Sequence, residues 1–175
     1  MKKILFPTDF SGESANALPV AAQLARLFHA DLHLIHVLSP VMPGFTIPLH
    51  HADGQYRQSV VLIEQAFEEL QAMPCLSGVR VETHLLTGTE PGDLLNDDRF
   101  ADADLLVMAS AGSTGLAGAL IGSNAEDLIQ RARLPVLESN VAVTVSMAYA
   151  WGEEIAKHYG SSSVVSADLQ STTYL

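Results

Sequence analysis

Between Ala103 and Asn124 the chain reads ADLLVMASAGSTGLAGALIGSN, and the residue types in this stretch could hold a phosphate. Leu105-Leu106-Val107-Met108 is an apolar run of the kind buried on both faces in a parallel sheet. A loop of Ala, Ser, Gly and Thr follows and closes at Gly122-Ser123-Asn124, after which Ala125, Leu128, Ile129 and Ala132 recur at helical spacing. A strand that feeds a small-residue loop ending at a helix start gathers bare backbone N–H groups and the positive end of the helix dipole at one place. Glycine there lets the main chain come within hydrogen-bond reach of a phosphate, which a Cβ would prevent. The chain contains neither G-x-x-x-x-G-K-S/T nor G-x-G-x-x-G, which excludes a Walker loop and a dinucleotide fingerprint. No Lys or Arg lies between Ala101 and Gln130, so any anion held here leans on backbone N–H groups.

Other side chains that could do chemistry carry less. Ser110, Ser113 and Thr114 lie in the same loop and could accept a phosphoryl group, but no G-x-S-x-G elbow or acid–base pair accompanies them. His50 and His51 are adjacent, in a stretch read as loop, and His33 and His36 do not make a ligand pair along one strand. No His, Cys and carboxylate set has zinc-ligand spacing, so no metal site is expected and the histidines are assigned to solvated loop or edge positions.

The elements that must position the loop are legible in order. Ile4-Leu5-Phe6 makes a first strand that Pro7 ends, because Pro7 has no N–H for a ladder. Ser11 or Ser14 offers an N-cap to a helix carrying Leu18, Ala21, Ala22, Ala25 and Phe28, and Pro19 either kinks that helix or sits in the first turn of one starting near Asn16. A second strand runs from Leu32 to Leu38, and a long loop from Ser39 to Arg57 leads to a helix with Val60, Ile63, Phe67 and Leu70 on one side. The third strand alternates Val79, Val81, Thr83 and Leu85 with Arg80, Glu82 and His84, as suits an edge. A short helix from Pro91, the strand over 105–108, a helix closed by Arg131 and Arg133, and a fifth strand at Leu134 to Leu137 complete the series. Alternating strands and helices predict right-handed crossovers and an α/β fold, a five-stranded parallel sheet with helices on both faces. Ligands in such sheets bind at the carboxyl ends of strands where the strand order reverses.

Ala109, two residues, Gly112, nine residues, Gly122 and Ser123 resemble the signature G-x2-G-x9-G-S/T of ATP-binding universal stress proteins, with Ala109 in place of the first glycine. KILFPTDFSGESANAL (3–18) is similar to that family's first strand and turn, DLHLIHVL (31–38) to its second strand, GTEPGDLL (88–95) to its third turn and ARLPVLES (132–139) to its last. The resemblance implies the strand order 3-2-1-4-5, with the first and fourth strands at the switch point and Asp9 facing the Met108–Gly112 turn. It also implies a site made by Pro7, Thr8, Asp9, Val37, Met108, Ala109, Gly112, Gly122, Ser123 and Asn124. There Asp9 borders the adenosine with Thr8 beside it, and the backbone of Val37 meets the adenine. The ligand so implied is ATP, accompanied by Mg²⁺, in a stress or signalling protein with little or no catalysis beyond weak ATP hydrolysis or autophosphorylation. Two other functions stay open: a nucleotide-free dimeric interaction protein of the same fold, and an ATP-dependent adenylating enzyme. The last needs S-G-G-x-D-S after the first strand, where this chain has Asp9-Phe10-Ser11-Gly12-Glu13-Ser14.

The resemblance covers residues 1–139. The extension over 140–175 is read as an alternating strand from Val141 to Met147, a short helix from Ala148 to Tyr159 and a polar arm to Leu175. An exposed fifth strand is an aggregation hazard unless paired, and the family commonly dimerises there. A homodimer through the fifth strand and this extension is therefore expected, beside a protein partner the sequence does not identify.

The chain has 175 residues and a formal net charge of −11, which argues against nucleic acid or an anionic membrane surface as partner. Cys75 is the only cysteine, so no intrachain disulfide forms and a reducing compartment fits. Met1-Lys2-Lys3 leads straight into a strand rather than a signal peptide, and no apolar run approaches the roughly 20 residues of a membrane span. A cytoplasmic protein is expected.

Overall fold

In a computed structural model the described residues are 1–38, 49–87, 91–109, 123–139 and 164–167. The strands are β1 (Lys3–Pro7), β2 (Asp31–Leu38), β3 (Val81–Thr87), β4 (Leu105–Ala109), β5 (Val136–Ser139) and β6 (Val164–Ala167). The helices are α1 (Gly12–Phe28), α2 (Leu49–Gln71) and α3 (Ser123–Arg131). The first five strands stand in the expected order 3-2-1-4-5, and every neighbouring pair is parallel.

Period-two alternation along the central strands sends side chains into two cores. Ile4 and Phe6 of β1 and Leu105 and Val107 of β4 pack with Leu18 and Ala21 of α1 and Ile63 and Phe67 of α2. Leu5, Leu106 and Met108 point the other way, onto Leu94, Phe100 and the Ala125–Leu128 side of α3. The sheet is thus covered on both faces, which is why β1 and β4 read as continuous apolar runs. Among the described residues no helix is long and apolar enough to cross a membrane.

α1 begins with Ser11 as N-cap, its hydroxyl accepting from the Ser14 N–H at 3.2 Å, and Pro19 lies in the body of the helix rather than in its first turn. His29 closes α1 in the left-handed conformation (φ 51°), and the Ala30 N–H reaches back to the Ala25 carbonyl at 2.9 Å.

Several elements depart from expectation, β3 among them, which runs Val81–Thr87 rather than from Val79. α2 starts at Leu49, inside the stretch predicted as loop, so His50 and His51 fall on its first turn. The interior Gly54 costs about 1 kcal/mol against Ala, too little to stop a 23-residue helix. The segment from Pro91 is a 3₁₀ turn (Pro91–Asn96). β5 begins two residues late: Pro135 contributes only its carbonyl, to the Leu106 N–H at 2.9 Å, and α3 ends at Arg131, before Arg133. Finally, Val164–Ala167, within the predicted polar arm, forms β6 in parallel with β5, from Val136↔Val164 to Ser139↔Ala167. Val164 and Val165 are β-branched, and the open side of β5 supplies the ladder they complete. The strand and helix expected over 141–159 lie outside the described residues.

Candidate functional site at the carboxyl ends of β1 and β4

The strand order reverses at β1 and β4, with β2 flanking β1 and β5 flanking β4. Thr8 and Ala109 each lie three residues beyond the paired Leu5 and Leu106, so the turn leaving β1 and the end of β4 open at the same edge of the sheet. This is the place where doubly wound sheets bind ligands.

The turn after β1 is held by Thr8, which is buried (7% exposed) and uses every polar group it has. Its N–H donates to the Ile35 carbonyl at 2.8 Å, and its carbonyl lies 2.8 Å from His36 Nδ1, which donates to it. Its hydroxyl oxygen accepts from the Phe10 N–H at 3.0 Å and from the Ser14 hydroxyl at 2.8 Å. Asp9 is exposed, and one carboxylate oxygen accepts from the Ser11 N–H at 3.0 Å, an Asx turn running into the N-cap of α1.

Phe10 has φ 60°, an uncommon conformation for a bulky residue, costing about 1–2 kcal/mol. Its ring lies against His36 (centroids 4.7 Å) and edge-on to Phe67 of α2 (5.1 Å), and these contacts offset the strain. Strain concentrated beside an exposed acid at a switch point is characteristic of ligand sites.

His36 is held below the ordinary histidine pKa by burial, opposed by its bond to the Thr8 carbonyl and by the Asp9 charge. A base with a depressed folded pKa contributes stability that is present above its unfolded pKa of 6.5 and lost as pH falls below it. The stability difference between wild type and His36→Gln in urea denaturation is accordingly expected to be largest near pH 7.5 and to narrow below about 6.5. A difference that stays constant from pH 7.5 to 5.5 contradicts this account of His36.

The expected site residues divide into three groups. Pro7, Thr8 and Asp9 stand together at the end of β1, and Val37 lies at the matching end of β2, half-buried and paired with Leu86. Met108 is buried in the second core, and Ala109 packs its methyl against the first while pairing with Ser139. Ser123 and Asn124 are the first two residues of α3. Gly112 and Gly122, together with Ser110, Ser113 and Thr114, lie outside the described residues.

Phe10, Ser14 and His36 were not expected to belong here. Ser14 was legible as a cap only, and nothing in the residue types announces the left-handed Phe10.

The assignment of the histidines to solvated positions also needs correction. His36 is half-buried, and His33 is 5% exposed. His33 lies with His84 and Glu82 in a cluster whose ligand atoms all fall within 4.8 Å of one another. Spacing along the chain excluded such a set; pairing of β2 with β3 makes it.

The family model described as the universal stress protein family matches residues 1–137. Universal stress protein MJ0531 of Methanocaldococcus jannaschii is 35% identical over 140 residues, covering 78% of this chain and 80% of that protein. Among solved structures, a universal stress protein from Archaeoglobus fulgidus in complex with dAMP is 23% identical with a TM-score of 0.52, covering 79% of this chain and 96% of that one. A universal stress protein in complex with cAMP is 24% identical with a TM-score of 0.54, with the same two coverages of 79% and 96%. At those identities the two structures establish the fold alone.

Proposed function

We propose, from the premise that this chain belongs to the universal stress protein family, that it binds an adenine nucleotide, ATP with Mg²⁺, beyond β1 and β4. In this reading it acts as a nucleotide-dependent stress or signalling protein with little or no catalysis. One observation carries the reading: the Thr8–Asp9 turn and the Ala109 end of β4 open together at the strand-order reversal, and the small-residue stretch from β4 ends where α3 begins. A helix start after such a stretch favours phosphate through its N–H groups and dipole. That mode of binding suits a chain with a net charge of −11 and no cation in the stretch. The nucleotide complexes of the Archaeoglobus protein and of the cAMP-bound protein are consistent with it.

Isothermal titration of the full chain with ATP and with AMP, each with Mg²⁺ present, tests the proposal. Saturable binding of one ATP is expected, at least about tenfold tighter than AMP, the preference one or two charge-assisted contacts to the extra phosphates produce. Silence with both nucleotides removes the proposal and leaves the nucleotide-free reading, which the methyl of Ala109 favours. Ala109→Gly is expected to tighten ATP several-fold, because glycine frees the backbone leaving β4 to approach the ligand, a gain set against the core contact its methyl makes. Unchanged affinity in that variant removes Ala109 from the site.

A further inference from the structure

At the opposite end of the sheet's outer edge, two buried or half-buried imidazoles and a carboxylate meet across β2 and β3. His33 pairs in register with Glu82, and Ile35 with His84, so His33, Glu82 and His84 project from one face of the parallel pair. His33 Nδ1 lies 2.8 Å from His84 Nε2. Glu82 Oε2 lies 3.8 Å from His33 Nδ1 and 3.9 Å from His84 Nε2. The rings stack with centroids 5.1 Å apart, and Phe100 stands edge-on to both. His33 is four residues short of Val37, roughly 13 Å along an extended strand, so the cluster is distinct from the carboxyl-end site.

We propose that His33, His84 and Glu82 form a binding site for a divalent transition-metal ion of the zinc class. Two imidazoles and one carboxylate are a donor set for such an ion, and three protein ligands leave a fourth position for water. Tetrahedral bonds of about 2.1 Å place donor atoms roughly 3.4 Å apart. The observed separations of 2.8, 3.8 and 3.9 Å straddle that value, so side-chain shifts of about half an ångström seat the ion without moving a strand.

Two further observations favour a cation here. Glu82 directs its other oxygen to Arg80 (3.8 Å), which leaves Oε2 toward the rings. Around the rings the carboxylates Asp31, Glu82, Asp97 and Asp102 stand against three cations, Lys3, Arg80 and Arg99. His33 is also hard to explain as packing. It is 5% exposed, and among the described residues its Nε2 has no hydrogen-bond partner and its short polar contact is the one to His84 inside the cluster.

The test is titration of metal-free, full-length protein with ZnCl₂, followed by calorimetry, alongside CoCl₂ followed by its visible absorption. Wild type is expected to bind one equivalent that Glu82→Gln weakens at least about tenfold and His84→Ala removes. Co²⁺ is expected to give the intense bands of a four-coordinate site, lost in the same variants. Glu82 is 43% exposed, so Glu82→Gln keeps the test valid should His84→Ala disturb folding. Absence of zinc binding by wild type reduces the cluster to a hydrogen-bonded histidine pair and overturns the proposal. Equal affinity in wild type and Glu82→Gln overturns it too, by placing the zinc elsewhere.

Discussion

Phe6→Ala is expected to remove about 3–5 kcal/mol of stability, much of the total a domain of this size possesses. Phe6 is 1% exposed at the centre of the central strand, and on its face of the sheet it packs with Ile4, Leu18, Leu24, Leu34 and Val107. Its neighbours come from α1, β2 and β4, which are anchored by their own ladders and cannot all collapse into the space an aromatic ring leaves. The loss therefore has two parts, the transfer free energy of the ring and the cavity behind it. Leu62→Ala supplies the contrast: Leu62 is 58% exposed on the outer side of α2, and its truncation is expected to change stability by less than about 0.5 kcal/mol. Urea denaturation of both variants measures the difference. A Phe6→Ala cost below about 1 kcal/mol would place the ring outside the core. Because Phe6 lies one residue before Pro7 and two before Thr8, the same truncation is also expected to loosen the turn that presents Asp9.

The contrast between these two residues shows what the chain makes legible on its own. Burial on both faces writes Ile4-Leu5-Phe6 and Leu105–Met108 as apolar runs, and burial on one face writes Val60, Ile63, Phe67 and Leu70 as a stripe. Those local patterns carry the fold class, and the resemblance carried over the strand order. What escaped depends on terms that no short window contains. The early start of α2 turns on whether one glycine outweighs the residues around it. β6 arises because β5 offers an edge, an inducement invisible in the sequence of 164–167 itself. The histidine cluster is a product of register, since His33 and His84 are 51 positions apart and meet when His33 pairs with Glu82. At the carboxyl-end site, the capping serine and the acid were readable as types, whereas the left-handed Phe10 depends on His36 and Phe67 closing around its ring.

Asp9→Ala is expected to weaken ATP and AMP by the same factor, about 10- to 100-fold. That range corresponds to losing one hydrogen bond made by a charged group, about 1.5–3 kcal/mol. Equality between the two nucleotides is the discriminating feature. If Asp9 borders the nucleoside, it acts on the part ATP and AMP share. If it lay near the triphosphate, its negative charge would oppose binding, and removing it would favour ATP over AMP. Asp9 also accepts from the Ser11 N–H ahead of α1, so part of any loss could come from a loosened turn. Asp9→Asn separates the two roles, because its side-chain carbonyl can still accept from Ser11 while the charge is gone. Stability is expected to return to the wild-type value in Asp9→Asn, with nucleotide affinity only partly restored. Full recovery of both would make Asp9 a turn residue and nothing more. Tighter ATP with unchanged AMP would move the acid to the phosphate end and require the nucleoside to enter from the other side of β1.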